Sequence, residues 1–315
     1  MNVSVGVDMG GTRIKIGLVK NGNIIAHKKI NADSNVNLMA RLVEIKQHVD
    51  QLLETHGCTA QGIGLAFPDI VDSDQNRIIS KYVKYPDSNK VNLEQWAMQS
   101  WGIPIVVEND ARAALLGEWQ YGAGRGCDNL VLITLGTGVG TAVMINGQIL
   151  RGKHYLAGNL GGHMTINLHG TTCNCGNIGC LESESSTWAL QNKIKKYPDF
   201  ESSALAGEQE IDFETVFKKA KEGDNVAALV KADCLKAWAF GILNLVHAYD
   251  PERIIMGGGI MKSQDIIIPY VKEIVQKHSW VNEEEIELMA ATQVEYAGIL
   301  GVCYLLTTSE KERKL

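Results

Sequence analysis

The sequence predicts an α/β protein of two domains built on an internal duplication. Three observations carry this. Val- and Ile-rich strand-like runs alternate with amphipathic helical runs along the chain. A pattern of strand, Gly/Thr turn, strand, Asn-Gly hairpin and strand occurs at the N-terminus and returns between Asn129 and Leu150. The chain has 315 residues, 45% of them apolar, which is more than one ordinary domain needs and enough for two cores.

The elements follow from local pattern. Val3 to Asp8 alternates and reads as a strand; Ile14, Ile16 and Leu18 resume the period of two, Asn21-Gly22 turns the chain, and Ile24 to Ile30 pairs back. Leu38, Leu42, Ile45, Val49 and Leu52 recur at helical spacing up to a stop near Gly57. Gly62 to Phe67 is a strand broken at Pro68-Asp69, Asp72 to Pro86 is mostly loop, and Val91 to Gln99 is a helix. Ile103 to Val107 is a strand ending in Glu108-Asn109-Asp110, with a helix from Ala111 to Gly122. The second half reads as strands at Asn129–Leu135, Thr141–Ile145 and Gln148–Leu150, then helices at Thr187–Lys196, Phe213–Lys221 and Asn225–Tyr249. Arg253 to Met256 is a strand opening into Gly257-Gly258-Gly259, and helices follow at Ile266–Gln276 and Ala297–Leu306. The Lys311–Lys314 cluster reads as a solvated helix end.

Composition excludes some classes of function. A formal charge of −6 disfavours generic binding to nucleic acid or anionic lipid. No apolar run is long enough to span a bilayer, and the start lacks the basic and apolar regions of a signal peptide. Cys58, Cys127, Cys234 and Cys303 are scattered as reduced core thiols would be, so the expected location is cytoplasmic.

Three places carry chemistry. The turn after the first strand, Asp8-Met9-Gly10-Gly11-Thr12 with Lys15 beyond it, offers backbone N–H groups at close range, as a phosphate requires; a plain hairpin is the alternative. Gly136-Thr137-Gly138 repeats it, and two such turns facing one another would hold a triphosphate from both sides. Gly258-Gly259 suits a flat nucleotide base and ribose, or is a structural turn. Asp110, at a strand end that becomes a helix, is either a general base facing a cleft or a helix cap. Finally, the Gly- and Asn-rich stretch from His163 to Glu182 gathers Cys173, Cys175 and Cys180, thiolates suited to a closed zinc site, with His163 or His169 as fourth ligand.

These segments together resemble the ROK family of bacterial sugar kinases and repressors. DMGGTRIK and LGTGVG resemble its two phosphate motifs, ENDARAALLGE its catalytic segment, CNCGNIGCLE its zinc-and-sugar signature, and DPERIIMGGGI its nucleotide-side segment. The resemblance runs from about residue 3 to 305 and implies a duplicated actin-like ATPase (ribonuclease H-like) fold with a cleft between two domains. These would be 1–112, with a C-terminal helix at about 301–315 packing back on it, and 113–300, which contains the zinc loop 163–182. It implies that Gly10, Gly11, Thr12, Gly136, Thr137 and Gly138 cradle the phosphates of ATP, with Gly258 and Gly259 near the nucleotide. Asp110 would take the proton of a sugar hydroxyl while Asn109 and Glu182 bind the sugar, and His163, Cys173, Cys175 and Cys180 would hold structural Zn²⁺. A homodimer is implied too. Asp8 is the candidate for Mg²⁺. Two departures stand out. Asn159 takes the place of a sugar-binding Glu, with one Gly inserted before His163, and Asp69 takes the place of a Gly beside the sugar.

The expected activity is therefore transfer of the γ-phosphoryl group of ATP to the 6-hydroxyl of a hexose, glucose first, with N-acetylmannosamine, allose, mannose and fructose open because of Asn159 and Asp69. A repressor is the competing reading from another class; it would need a helix-turn-helix domain ahead of a first strand that already starts at about residue 3, and the chain is acidic. A sugar-binding protein without catalysis is the third.

Overall fold

The computed structural model describes residues 1–80, 84–281 and 285–313, with side chains to 308. The chain divides into two compact units: Met1–Gly126 with Ile149–Ala157 and Thr292–Leu315, and Cys127–Gln148 with Gly158–Ala291.

The first unit opens with β1 (Asn2–Met9), β2 (Arg13–Lys20) and β3 (Asn23–Asn31), the meander that the Asn-Gly turn dictates. Helix α1 (Leu38–Thr55) buries Leu38, Leu42, Ile45 and Val49, the stripe predicted from spacing. Then come β4 (Thr59–Phe67), the short pair β5 (Val71–Asp72) and β6 (Arg77–Ile78), α2 (Leu93–Trp101), β7 (Ile105–Asn109) and α3 (Asp110–Tyr121). The sheet order is β3-β2-β1-β4-β7, with β1, β4 and β7 parallel. Residues of α1 and α2 join the strands in one core.

The second unit contains β8 (Leu130–Leu135), β9 (Val139–Ile145), the start of β10 (Gln148–Ile149), α4 (Leu181–Ser185), α5 (Thr187–Ile194), α6 (Phe213–Lys221) and α7 (Asn225–Tyr249). It ends with β11 (Arg253–Gly257), α8 (Gln264–His278) and β12 (Glu287–Ala290). Its sheet order is β10-β9-β8-β11-β12, with β8, β11 and β12 parallel. The two sheets share one plan: an antiparallel hairpin start followed by parallel strands. The duplication read from the Gly/Thr turns is thus a duplication of topology.

Helix α9 (Ala297–Arg313) returns to the first unit and lies against α3, β1 and β4. Its approach to α3 is backbone-close. A Cβ at Gly301 would stand 1.8 Å from the Ala113 carbonyl oxygen, and one at Gly117 2.1 Å from that of Ala297. Alanine in a helix is worth about 1 kcal/mol over glycine, but here the clash is with unyielding backbone and overpacking of this kind costs about 1–3 kcal/mol. Gly301→Ala is accordingly expected to lower unfolding free energy in urea by about 1–2 kcal/mol. An unchanged or raised midpoint would show that the two helices can separate freely.

Several boundaries differ from the sequence reading for identifiable reasons. Helix α2 starts two residues late because Asn92 caps it, accepting the Gln95 N–H, and Gly102 closes it in the left-handed region at φ 68°. Strand β7 starts after Pro104 and runs on through Asn109. Strand β9 starts at Val139, and α4 and the half-exposed edge strand β12 were not foreseen. Helix α9 continues past Leu306. Cys58 and Cys127 are only partly buried, unlike Cys234 and Cys303. The Lys311–Lys314 side chains, and part of the Asp72–Pro86 loop, lie outside the described residues.

Candidate functional site

In the first unit the C-terminal ends of β1, β4 and β7 lie side by side, so Asp8, Asp69 and Asp110 come from one sheet edge. This is where open α/β sheets place ligands. Asp110 is the first residue of α3, and the cap is its neighbour. Asn109 Oδ1 accepts the N–H groups of Ala111 and Arg112. Asn109 Nδ2 donates to the Asp69 carbonyl oxygen at 3.1 Å and to Asp110 Oδ1 at 3.0 Å. An amide has two donors and two acceptor lone pairs, so all four positions of Asn109 are taken, and it can reach a sugar hydroxyl only by exchanging a bond. Asp110 Oδ1 also accepts the Ala111 N–H at 2.8 Å, while Oδ2 takes no hydrogen bond among the described residues.

Burial pushes the Asp110 carboxyl above the ordinary aspartate range; the Lys84 ammonium opposes this, Asp8 adds to it, and the Ala111 N–H and Asn109 amide oppose it. Asp69 is raised to about 6, chiefly by burial and also by Asp110, against the N–H and charge of Lys84. The folded chain therefore holds this proton more tightly than the unfolded chain does. Its favourable contribution to stability is complete below about pH 4 and is lost as pH rises through about 6. If Asp110 must be ionised to act, the acid limb of kcat/KM lies above the usual aspartate range. Rates measured from about pH 4.5 to 8 check this; a rate that stays flat down to the acid end contradicts it.

The first turn is open. Gly11, Thr12 and Arg13 are exposed, Gly10 lies close to the Arg13 carbonyl oxygen, and Asp8 pairs with Lys15 at 3.1 Å. Among the described residues the N–H groups of Gly10, Gly11 and Thr12 have no protein acceptor. Behind Asp110 sits a charged cluster that the sequence reading missed. Glu108 and Arg112 are fully buried. Glu108 takes two hydrogen bonds from Arg151, and Arg112 donates to the carbonyl oxygens of Tyr155 and Ala157. It pins residues 151–157 against β7 and α3. Arg112 lies only four residues after Glu108, across the β7–α3 junction, and that nearness was available as a signal; Arg151 and Lys84 left none.

In the second unit β8 and β11 are parallel neighbours, so Gly136-Thr137-Gly138 and Gly258-Gly259 emerge together, with Gly136 beside Gly259 and Gly258 against Leu135. The N–H groups of Thr137 and Gly138 have no protein acceptor among the described residues. Glu182 lies against this turn: Oε2 accepts the Val139 N–H at 2.8 Å and Oε1 the Trp188 indole N–H at 3.1 Å.

Asn159 is buried, and its Oδ1 has no hydrogen-bond partner among the described residues. It is held from both sides by Thr141, whose hydroxyl donates to the Gly158 carbonyl oxygen and accepts the Gly161 N–H. The inserted glycine is absorbed in a short 3₁₀ turn, Gly161–His163. A Cβ at Gly162 would stand 1.9 Å from the Val139 carbonyl oxygen, so no other residue fits there.

His163 lies in a cluster with Cys173, Cys175 and Cys180, the four ligand atoms within 4.8 Å of one another, while His169 is exposed. Cys175 Sγ is 3.7 Å from Cys180 Sγ, and Cys173 Sγ is 3.6 Å from His163 Nδ1. Zn–S bonds of about 2.3 Å at tetrahedral angles put sulfurs about 3.8 Å apart, so these donors fit such an ion.

With this geometry in hand, the comparisons with known proteins are specific. The ROK family model matches residues 4–309. The chain is 34% identical over 312 residues to a glucokinase of Thermotoga maritima, covering 96% of both. Its structure is similar to that of a ROK hexokinase from Thermus thermophilus, at 25% identity and a TM-score of 0.79, covering 98% of this chain and 99% of that one. It is also similar to a ROK family glucokinase from Streptomyces griseus in complex with glucose and AMPPNP, at 26% identity and a TM-score of 0.77, covering 96% and 98%. Full-length agreement in sequence and in topology leaves one conclusion: this chain belongs to the ROK family and has its actin-like ATPase fold.

Proposed function

We infer that the chain is an ATP-dependent, glucokinase-like hexose kinase. The observation that supports this most is Asp110: a partly buried carboxylate at a parallel strand's end, with one oxygen held by Asn109 and Ala111 and the other without a hydrogen bond among the described residues, in a chain related over its whole length to glucokinases.

The proposed reaction is in-line displacement. Asp110 accepts the proton of the sugar 6-hydroxyl as the oxygen–phosphorus bond forms and the bond to the β-phosphate oxygen breaks, releasing ADP. A primary alcohol is a poor nucleophile near neutral pH, and a positioned base is worth ~10²–10⁴-fold. The turns at Gly10-Gly11-Thr12 and Gly136-Thr137-Gly138 offer unclaimed N–H groups to phosphate oxygens, where such donors stabilise transferring charge. Asp8 would hold Mg²⁺, which supplies further charge neutralisation. Gly258 and Gly259 would border the nucleotide. Asn159, His163, Glu182 and Asp69 would meet the sugar, and Asn159 Oδ1, buried and without a partner among the described residues, suits a hydroxyl donor there. The His163–Cys173–Cys175–Cys180 cluster would hold structural Zn²⁺. The chain is expected to form a homodimer, which light scattering on the purified protein checks.

The test is ADP release with ATP and Mg²⁺ over a panel of glucose, mannose, fructose, allose and N-acetylmannosamine. Turnover with glucose or one relative is expected. Silence with every sugar would instead favour a sugar-binding protein without catalysis.

A further inference from the structure

Glu182 and the second phosphate turn form one hydrogen-bonded unit, and Trp188 belongs to both halves of it. The first N–H groups of a helix need acceptors. In α5 the Thr187 N–H donates to the Gly136 carbonyl oxygen at 3.0 Å and the Trp188 N–H to that of Thr137 at 3.2 Å. The turn's carbonyls are thus directed at α5. Meanwhile the Trp188 indole N–H holds one oxygen of Glu182, and the other oxygen holds the Val139 N–H. The carboxylate sits so close that a Cβ on Gly138 would meet it at 2.5 Å.

We propose that Trp188 is a positioning residue that ties the Glu182 carboxylate to the Gly136–Gly140 turn, so that sugar and nucleotide binding reinforce each other. The inference rests on the hexose-kinase reading, in which Glu182 meets sugar hydroxyls and the turn meets phosphate. A carboxylate accepts about four hydrogen bonds; two are used here, so sugar hydroxyls can take the rest without breaking the link. Two effects then act with the same sign. Sugar bound to Glu182 restrains the turn through Val139, so the nucleotide meets a turn already ordered. Hydroxyl donors also draw negative charge from a carboxylate that would otherwise oppose the incoming phosphates. By linkage the nucleotide must tighten sugar binding by the same factor.

Calorimetric titration reads this directly. For the wild type, the Kd of the hexose that supports turnover is measured with and without saturating AMPPNP and Mg²⁺, and the nucleotide Kd with and without the sugar. Both should tighten by the same factor, roughly fivefold or more. Trp188→Phe keeps an aromatic ring and the backbone N–H but removes the indole donor. Each ligand should still bind alone, while the coupling factor falls below about twofold. A melting temperature close to wild type shows that the variant is folded. Glu182→Gln, whose amide can accept at only one of the two positions, gives an independent second measurement and should lose the coupling as well. Coupling that survives in both variants, or a wild type that binds both ligands independently, overturns the proposal. A wild type that binds neither ligand overturns the hexose-kinase reading and this inference with it.

Discussion

Asp110→Asn is expected to lower kcat by ~10²–10⁴-fold, equivalent to about 3–5 kcal/mol of barrier, while the sugar Kd stays within a few-fold of wild type. The substitution is nearly isosteric. The introduced amide can still accept the Asn109 Nδ2–H and the Ala111 N–H with its own Oδ1, so the start of α3 is preserved. What it lacks is a site for the proton. A structural role predicts a different pattern. Burial already opposes the charged form of Asp110, so removing that charge should leave thermal stability unchanged or raise it slightly. Loss of turnover without loss of stability or sugar binding is thus the signature of a base. Wild-type turnover by the purified variant would end that assignment.

The second large effect is expected at the cysteine cluster. Residues 163–182 contain little that could build a core of their own; Leu168 and Ile178 are exposed. Cys180, by contrast, is fully buried two residues before Glu182, and burial with its neighbouring thiols pushes its thiol up to about 12. A bound dication reverses that preference by coordinating thiolates. Structural zinc in small peptides is worth ~10–16 kcal/mol, so even part of that exceeds any hydrogen bond in the loop. Elemental analysis should give about one zinc per chain. Cys180→Ser, or exhaustive chelation, should lower the melting temperature by at least ~5 °C and raise the sugar KM, because Glu182 loses its anchor. A metal-free protein that melts at the same temperature with and without chelator would contradict the assignment.

How much of this was legible beforehand depended on whether a signal was local. The Asn21-Gly22 hairpin, the α1 stripe and the long apolar α7 each declare themselves within a few residues, and their bounds came out close. The duplication was legible because Gly10-Gly11-Thr12 and Gly136-Thr137-Gly138 have the same flanks. The strand orders were not, since which strands become neighbours depends on contacts across the whole chain. Asp110 was legible as a candidate because it stands at a strand-to-helix junction. That Asn109 rather than Asp110 caps α3 was not, because both residue types suit the position and only φ/ψ decides. The Arg151–Glu108 pair and the Trp188–Glu182–Val139 link join residues far apart in sequence, and no spacing rule reports them. Spacing also left His163 and His169 equal, whereas in the fold His163 stands among the thiols and His169 faces solvent.

The central claim is that this chain moves a phosphoryl group from ATP to the 6-hydroxyl of a hexose. Phosphorus NMR of a reaction of the purified protein with ATP, Mg²⁺ and glucose tests it most directly. The predicted result is ADP together with a sugar phosphate whose resonance couples to the two protons on carbon 6. Inorganic phosphate alone, or a phosphoryl group on another carbon, would contradict it.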